Sequence, residues 1–131
     1  MTIDAAPAAI GTGDAAFVRA YRWATAALIL SAAVHTVTSK WDEPSFTLGN
    51  FFSYFTVLSN LFAMVVLAAT GWRAGERLSH RAEMARGAAV LYMAMTGLVY
   101  ALLLSGENVQ TDAYTNWVMH RIAPVIVVLD W

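Results

Sequence analysis

Hydrophobic residues are concentrated in four runs along the chain, and short polar segments separate the runs. The runs lie at about residues 20–39, 50–70, 87–104 and 117–131. Each of the first three is close to the roughly 20 residues that cross a bilayer as an α-helix, and none alternates polar and apolar residues as the strands of a membrane barrel do. The pattern predicts an all-α, multi-pass transmembrane helical bundle with antiparallel neighbours.

The two ends of the chain differ from this pattern. Residues 1–16 are small, contain Gly and Pro and show no apolar period, so we expect a flexible cytoplasmic tail before a transmembrane domain of residues 17–131. The fourth run reaches Trp131 after only about 15 residues, which is short of a full crossing. The sequence therefore predicts three full spans and a truncated fourth, from a parent protein with further helices.

The composition supports a membrane protein. Hydrophobic residues make up 59% of the chain and charged residues 13%, whereas soluble domains carry about a quarter of charged residues. The net charge of −1 excludes a basic surface for nucleic acid, and the absence of cysteine excludes disulfides, thiol nucleophiles and iron–sulfur ligation. The histidines lack the spacing of metal ligands, so we expect no metal and no cofactor.

Basic residues predict the orientation. Those before the first run and between the second and third runs are Arg19, Arg22, Arg73, Arg77, Arg81 and Arg86. The alternate loops carry acidic residues and a single lysine. The positive-inside rule therefore places the N-terminus and the arginine loop in the cytoplasm, in a bacterial inner membrane.

Small and polar residues form stripes on three of the predicted helices. Ser53, Thr56 and Asn60 are spaced three and four apart, so one continuous helix places them on one face. A row of small residues on the first helix, from Ala20 to Ser31, ends at His35, and a polar stripe on the third ends at Tyr100. Interhelical hydrogen bonds are the ordinary role of such stripes.

Depth brings three of these polar residues together. Thr56 lies about six residues inside the second helix, or roughly 9 Å at 1.5 Å per residue. His120 lies near the start of the fourth helix, and His35 lies near the end of the first. All three are therefore predicted in the outer leaflet, with Ser53, Asn60 and Tyr100 as supporting residues.

The segment after His120 carries two further features. Pro124 either begins the helix in its first turn or kinks it one turn beyond the histidine. Asp130 lies about ten residues deeper, where a carboxylate is tolerated only when it is paired, neutral or at the interface.

Two segments resemble a known family. FFSYFTVLSN (residues 51–60) and MHRIAPVIVVLDW (residues 119–131) are similar to the bacterial Pr6Pr-type integral membrane proteins. The resemblance to this bacterial family extends from about Tyr21 to the end of the chain. The bacterial family is in turn similar to the animal androgen-induced and androgen-dependent TFPI-regulating proteins, through an aromatic-rich segment that holds the threonine and a histidine a few residues before a proline. The animal proteins are multi-pass threonine hydrolases of hydroxy fatty acid esters. The resemblance thus implies a nucleophile at Thr56 and a base at His120.

Three functions fit these observations. The first is a threonine-dependent lipid ester hydrolase, in which His120 activates Thr56 and Asn60, Ser53 or backbone groups freed by Pro124 stabilise the oxyanion. The second is a non-enzymatic lipid-binding or small-solute transport protein whose polar stripes line a cavity. The third is a structural subunit whose stripes pack helices together. Membrane lipids, and for the first function a lipid ester, are the expected partners.

Overall fold

The computed structural model describes residues 11–106 and 112–131, and every regular element in this part of the chain is helical. The helices are α1 (Thr12–Lys40), α2 (Leu48–Ser53), α3 (Phe55–Trp72), α4 (His80–Val99), α5 (Ala113–Trp117) and α6 (Ala123–Leu129). One π-helical turn, Tyr100–Leu104, extends α4, and a second, Val118–Ile122, joins α5 to α6. The predicted all-α class is confirmed for these residues.

Two of the helices have the length and composition to cross a membrane. They are α3 over Phe55–Trp72 and α4 with its π-helical turn over His80–Leu104. This agrees with the apolar runs predicted at 50–70 and 87–104, and it favours a membrane location.

Two helices begin earlier than the apolar runs that predicted them. α1 begins at Thr12, so residues 12–16, which were assigned to the tail, are helical, and Asp14 lies in the first turn, where the helix dipole favours an acid. Residues 1–10 of that tail lie outside the described residues. α4 begins at His80, because the Ser79 side chain accepts a hydrogen bond from the N–H of Ala82 at 3.3 Å. Apolar composition indicates which residues lie within a membrane, whereas the ends of a helix depend on capping hydrogen bonds and on charges near its termini.

The second predicted span is not one continuous helix. Tyr54, with φ −72° and ψ 130°, is extended and separates α2 from α3. Phe51 and Val57 are six residues apart, which is about 120° around a continuous helix, yet both are buried in one apolar cluster. The break allows both side chains to face that cluster. The prediction of an unbroken helix over residues 50–70 was therefore wrong.

The core consists of two apolar clusters stacked along the bundle. α1 packs against α3, α3 against α4, and α4 against α6. One cluster includes Ile29, Leu67, Met93, Ala123 and Val127. The other includes Ala32, Ala33, Phe51, Val57, Val118 and Met119.

The buried face of α1 is not the one that was predicted. The row from Ala20 to Ser31 that ends at His35 is exposed, and the residues that pack on α3 and on the last helical segment include Ala26, Ile29 and Ala32. Both faces of α1 carry alanine, so the spacing of small residues alone did not distinguish them.

Pro124 lies in the first turn of α6 and does not end the helical segment that runs from α5. Proline has no backbone N–H, so the carbonyl four residues earlier, that of His120, loses its usual partner. The π-helical turn Val118–Ile122 lies immediately before this point. Such turns absorb a local change in backbone hydrogen bonding and are frequent at functional sites.

Candidate functional site

A cavity of about 340 Å³ lies where α1 ends and where α2 meets α3. Its walls combine apolar side chains with hydroxyl, amide, imidazole and charged groups. The polar lining residues are Thr36, Lys40, Glu43, Ser45, Asn50, Tyr54, Thr56, Thr115 and His120. Thr56 and His120, which the sequence placed at one depth, thus line the same cavity.

Thr56 lies in the first turn of α3, directly after the break at Tyr54. The hydroxyls of Thr25, Thr36 and Thr70 each donate to the carbonyl four residues earlier. For Thr56 the equivalent carbonyl belongs to α2, beyond the break, and the hydroxyl makes no hydrogen bond within the described residues. The hydroxyl is therefore available to a molecule in the cavity.

The N-terminus of α3 has no side-chain cap. Tyr54 occupies the capping position and accepts no hydrogen bond through its side chain. The first backbone N–H groups of a helix have no partner within the helix, and together with the helix dipole they attract negative charge. Tyr54, Thr56 and Val57 all line the cavity, so the start of α3 forms part of its wall.

His120 lies in the π-helical turn between α5 and α6. Its ring stacks on the ring of Tyr100, with centroids 4.6 Å apart and planes 33° apart. Its Nδ1 atom is buried and makes no hydrogen bond within the described residues. Since Nδ1 is turned into the protein, Nε2 is the nitrogen available to the cavity.

Tyr100 supports His120 from the adjacent helix. The Tyr100 hydroxyl accepts hydrogen bonds from Asn116 Nδ2 at 2.8 Å and from Arg121 Nη2 at 3.4 Å. The Arg121 guanidinium lies 5.4 Å from the Tyr100 ring centroid and 4.4 Å from that of Trp117. The buried Tyr100 ring is therefore held at both its edge and its face, which restricts the position of the histidine ring packed on it.

Asn60 connects the two candidate catalytic segments. It is fully buried, and its Nδ2 donates to the carbonyl of Thr56 at 2.9 Å and to that of Met119 at 3.1 Å. Met119 precedes His120 directly. Asn60 thus sets the backbone of the predicted nucleophile against the backbone beside the predicted base.

None of the four predicted supporting residues lines the cavity: these are Ser53, His35, Asn60 and Tyr100. Asn60 and Tyr100 contact the segments of Thr56 and His120, whereas Ser53 and His35 make their contacts elsewhere. Ser53 belongs to α2 and is exposed, and its Oγ donates to the carbonyl of Asn50 at 2.6 Å. The exposed His35 ring packs edge-on against Tyr114, with centroids 5.4 Å apart, and its Nδ1 is 3.5 Å from Asp112 Oδ1. The break at Tyr54 removes Ser53 from the stripe of Thr56 and Asn60, so the prediction that the three share one helix face was wrong.

Asp112 caps the N-terminus of α5. Its Oδ1 accepts a hydrogen bond from the N–H of Thr115 at 2.9 Å. Partial burial acts to raise its pKa, but the hydrogen bonds from Thr115, aided by nearby His35, hold the pKa of Asp112 below its ordinary value. The carboxylate is therefore charged near neutral pH.

Sequence reasoning missed the charged pair in the lining. Lys40 Nζ lies 3.3 Å from Glu43 Oε2, and both residues line the cavity. Their spacing of three residues just beyond an apolar run was the available signal. Within residues 11–106 and 112–131, no group of three His, Asp or Glu side chains is arranged to hold a metal ion.

Asp130 lies at the other end of the bundle, which we call the arginine end after Arg19, Arg22, Arg73, Arg77, Arg81 and Arg86. Arg22 Nε lies 2.8 Å from Asp130 Oδ1, and Arg86 Nη2 lies 3.6 Å from Oδ2. Of the three states considered for this carboxylate, the structure shows the paired one. The pairing joins α1, α4 and the residue that follows α6.

Comparison of this chain with family models, with curated proteins and with solved structures finds no match. The resemblance of the two motifs to the Pr6Pr family stays a prediction. The assignment of a function therefore depends on the cavity and the residues around it.

Proposed function

We propose that this chain forms a multi-pass inner-membrane helical bundle that hydrolyses a lipid ester, with Thr56 as the nucleophile and His120 as the base. The observation that carries the proposal is that these two residues, on separate helices, line one cavity. The resemblance of their two segments to a family of threonine hydrolases supports the same pair.

The membrane arrangement proposed here has the arginine end in the cytoplasm and the cavity in the outer leaflet. Two helices of suitable length and composition support it. The four tryptophans near the ends of the predicted spans, Trp23, Trp41, Trp72 and Trp117, are all exposed. Exposed tryptophan near both ends of a bundle is typical of the two membrane–water interfaces.

The first chemical step is acyl transfer to Thr56. His120 Nε2 removes the hydroxyl proton while Oγ attacks the ester carbonyl, which forms a tetrahedral oxyanion. The free N–H groups at the start of α3 stabilise that negative charge. The oxyanion then collapses, the C–O bond to the alcohol breaks, and the imidazolium returns its proton to the departing alkoxide.

The second step releases the acid. Water attacks the acyl-threonine ester and gives a proton to His120 Nε2. Thr56 leaves with that proton, and a free fatty acid remains. The apolar residues that line the cavity, which include Phe46, Phe51, Val57, Leu104 and Met119, provide contacts for an acyl chain.

The proposal is tested with the purified full chain in detergent, by labelling with a fluorophosphonate and by hydrolysis of a long-chain ester. We expect Thr56→Ala to abolish both signals. His120→Gln should lower the rate by about 10²–10⁴-fold, the usual contribution of a positioned base. Ser53→Ala is the matched control, because this hydroxyl is three residues away but lies outside the cavity lining.

Three results separate the alternatives. Labelling that survives Thr56→Ala overturns the assignment of the nucleophile. Ester binding without turnover, retained in Thr56→Ser, supports a lipid-binding or transport protein. A loss of stability in Thr56→Ala, with no activity in the parent chain, supports a structural subunit.

A further inference from the structure

A second cleft, of about 280 Å³, lies at the arginine end and is lined by Arg19, Trp23 and Trp72. We infer that this cleft binds the phosphate headgroup of an anionic phospholipid in the leaflet opposite the catalytic cavity. The inference uses the membrane placement proposed above but adds a second lipid site that takes no part in hydrolysis.

The walls of the cleft come from the beginning of α1 and the end of α3. The Trp23 and Trp72 rings pack edge to face, with centroids 6.3 Å apart and planes 64° apart. Arg19 lies one helical turn before Trp23, so the two side chains share a face of α1. Two aromatic walls and one cation thus meet in a single recess.

Gly71 makes this arrangement possible. A Cβ atom at residue 71 would lie 3.1 Å from Trp23 Cδ1 and 3.2 Å from Arg22 Cβ. Any larger residue would push the indole away from α3. The glycine therefore lets the Trp23 ring lie against the helix end and bring the two indoles together.

The arginines at this end divide into a paired and an unpaired set. Arg22 and Arg86 are bound to Asp130, and Arg86 also contacts Glu83 at 3.0 Å. Arg19 is exposed and has no carboxylate within 4.0 Å in the described part of the chain, and the same holds for Arg73, which follows Trp72 directly. The cleft is therefore positively charged and open to an anion.

The aromatic walls favour a lipid over a free anion. Trp72 is 73% exposed and Trp23 is 44% exposed, and tryptophan at this depth packs against lipid glycerol and the first acyl carbons. Arginine binds phosphate through parallel N–H···O bonds. Basic pockets between membrane helices on the cytoplasmic side recognise anionic headgroups in this way.

The experiment uses native mass spectrometry of the full chain released from detergent that contains equal amounts of dioleoylphosphatidylglycerol and dioleoylphosphatidylcholine. We expect retained phosphatidylglycerol in excess of phosphatidylcholine. Arg19→Gln should reduce the retained phosphatidylglycerol about tenfold, the change expected from loss of one charge-assisted interaction. Arg77→Gln, an exposed arginine outside the cleft, should change it by less than about twofold.

Further measurements distinguish a bound phospholipid from free phosphate, and the lipid site from the proposed hydrolase site. Trp72→Leu should weaken lipid retention, and excess inorganic phosphate should not displace the lipid. Displacement by phosphate, equal retention of the two lipids, or equal effects of Arg19→Gln and Arg77→Gln would overturn the inference. Arg19→Gln should leave ester hydrolysis unchanged, so a failure of the lipid-site inference is distinguishable from a failure of the hydrolase proposal. Unaltered thermal melting of each variant shows that the fold is intact.

Discussion

Replacement of Asp130 by asparagine tests whether the ion cluster at the arginine end holds the last helix on the bundle. Arg22 Nε donates to Asp130 Oδ1 at 2.8 Å and to Oδ2 at 3.1 Å. The exposed side-chain fractions are 9% for Arg22, 8% for Asp130 and 14% for Arg86. All three charged groups are therefore largely removed from water.

The expected cost follows from this burial. Loss of one partner of a buried ion pair destabilises a protein by about 3–5 kcal/mol, because the remaining charge is left uncompensated. Arg86 would keep its contact with Glu83 at 3.0 Å and its hydrogen bond to the carbonyl of residue 130 at 2.8 Å. Arg22 would keep the Thr70 carbonyl, at 3.4 Å, and a neutral amide oxygen at residue 130, but no carboxylate to balance its charge. We therefore expect Asp130→Asn to lower the free energy of unfolding by about 3 kcal/mol, the lower end of that range.

The measurement is denaturant unfolding of the purified chain in mixed micelles, followed by circular dichroism. Glu83→Gln is the matched control, because it removes a carboxylate from the same Arg86 at a site that is 44% exposed. An ion pair spaced three residues apart on a helix surface contributes about 0.2–0.5 kcal/mol. A cost for Asp130→Asn below about 1 kcal/mol, within the range of an exposed pair, would refute the claim that the cluster is desolvated.

A double variant separates charge burial from packing. Arg22→Met with Asp130→Leu removes both charges and leaves Arg86 with Glu83. Since apolar replacement of a whole buried pair is often neutral or stabilising, this variant should be more stable than Asp130→Asn. A larger loss in the double variant would mean that the side chains contribute through shape and hydrogen bonds.

Three further predictions concern the rest of the bundle. Gly97→Ala should lower the free energy of unfolding by about 1–3 kcal/mol, because the added Cβ would lie 3.0 Å from Pro124 Cβ. Gly49→Ala is the control and should not destabilise the protein, because a Cβ at residue 49 meets open space within the described structure. Equal unfolding midpoints for the two variants would contradict this packing. Asn60→Leu should lower the free energy of unfolding by about 1–3 kcal/mol and slow any ester hydrolysis, because the carbonyls of Thr56 and Met119 lose their side-chain donor. A variant with the stability and the hydrolysis rate of the parent chain would exclude this role of Asn60. The pKa of Asp112 is lower in the folded protein than in the unfolded chain, so its carboxylate stabilises the fold above the ordinary carboxyl range, and this stabilisation is lost as pH falls through the pKa of the folded state. The unfolding midpoints of the parent chain and of Asp112→Asn should therefore converge on acidification. A difference that stays constant with pH would argue against the capping role of the carboxylate.

Much of the helical content was predictable from residue composition alone. The runs at 50–70 and 87–104 correspond to α3 and to α4 with its π-helical turn, since long apolar segments without strand alternation are typical of helices. Helix ends were less predictable. The Ser79 cap and the early start of α1 depend on local hydrogen bonds and charges that apolar content does not report.

The candidate site was predicted in part. Thr56, His120 and Tyr100 belong to one neighbourhood in the structure, and Asn60 joins it through two backbone carbonyls. Ser53 does not, because the extended Tyr54 turns α2 away from α3. A single extended residue between two helical stretches has no periodic signature, so the sequence favoured one continuous stripe.

The pairing of Asp130 illustrates a signal that was present but incomplete. Arg22 and Asp130 carry opposite charges near the same predicted membrane face, and a charge within an apolar run requires a partner. Depth alone allowed several partners. The rotation of α1 about its axis selected Arg22 and turned Arg19 to the surface, and that rotation follows from the packing of Ile29 and Ala32 against other helices.

The sequence by itself determined that this protein is helical, apolar and asymmetric in charge, because each of these properties depends on residue type and on spacing along one chain. Only the tertiary structure decided which side chains meet. The cavity shared by Thr56 and His120, the ring of Tyr100 against His120, and the cluster around Asp130 all join residues distant in sequence. Their contacts depend on helix rotation, on the break at Tyr54 and on the π-helical turn before Pro124, and the free energy that selects these features comes from packing between helices.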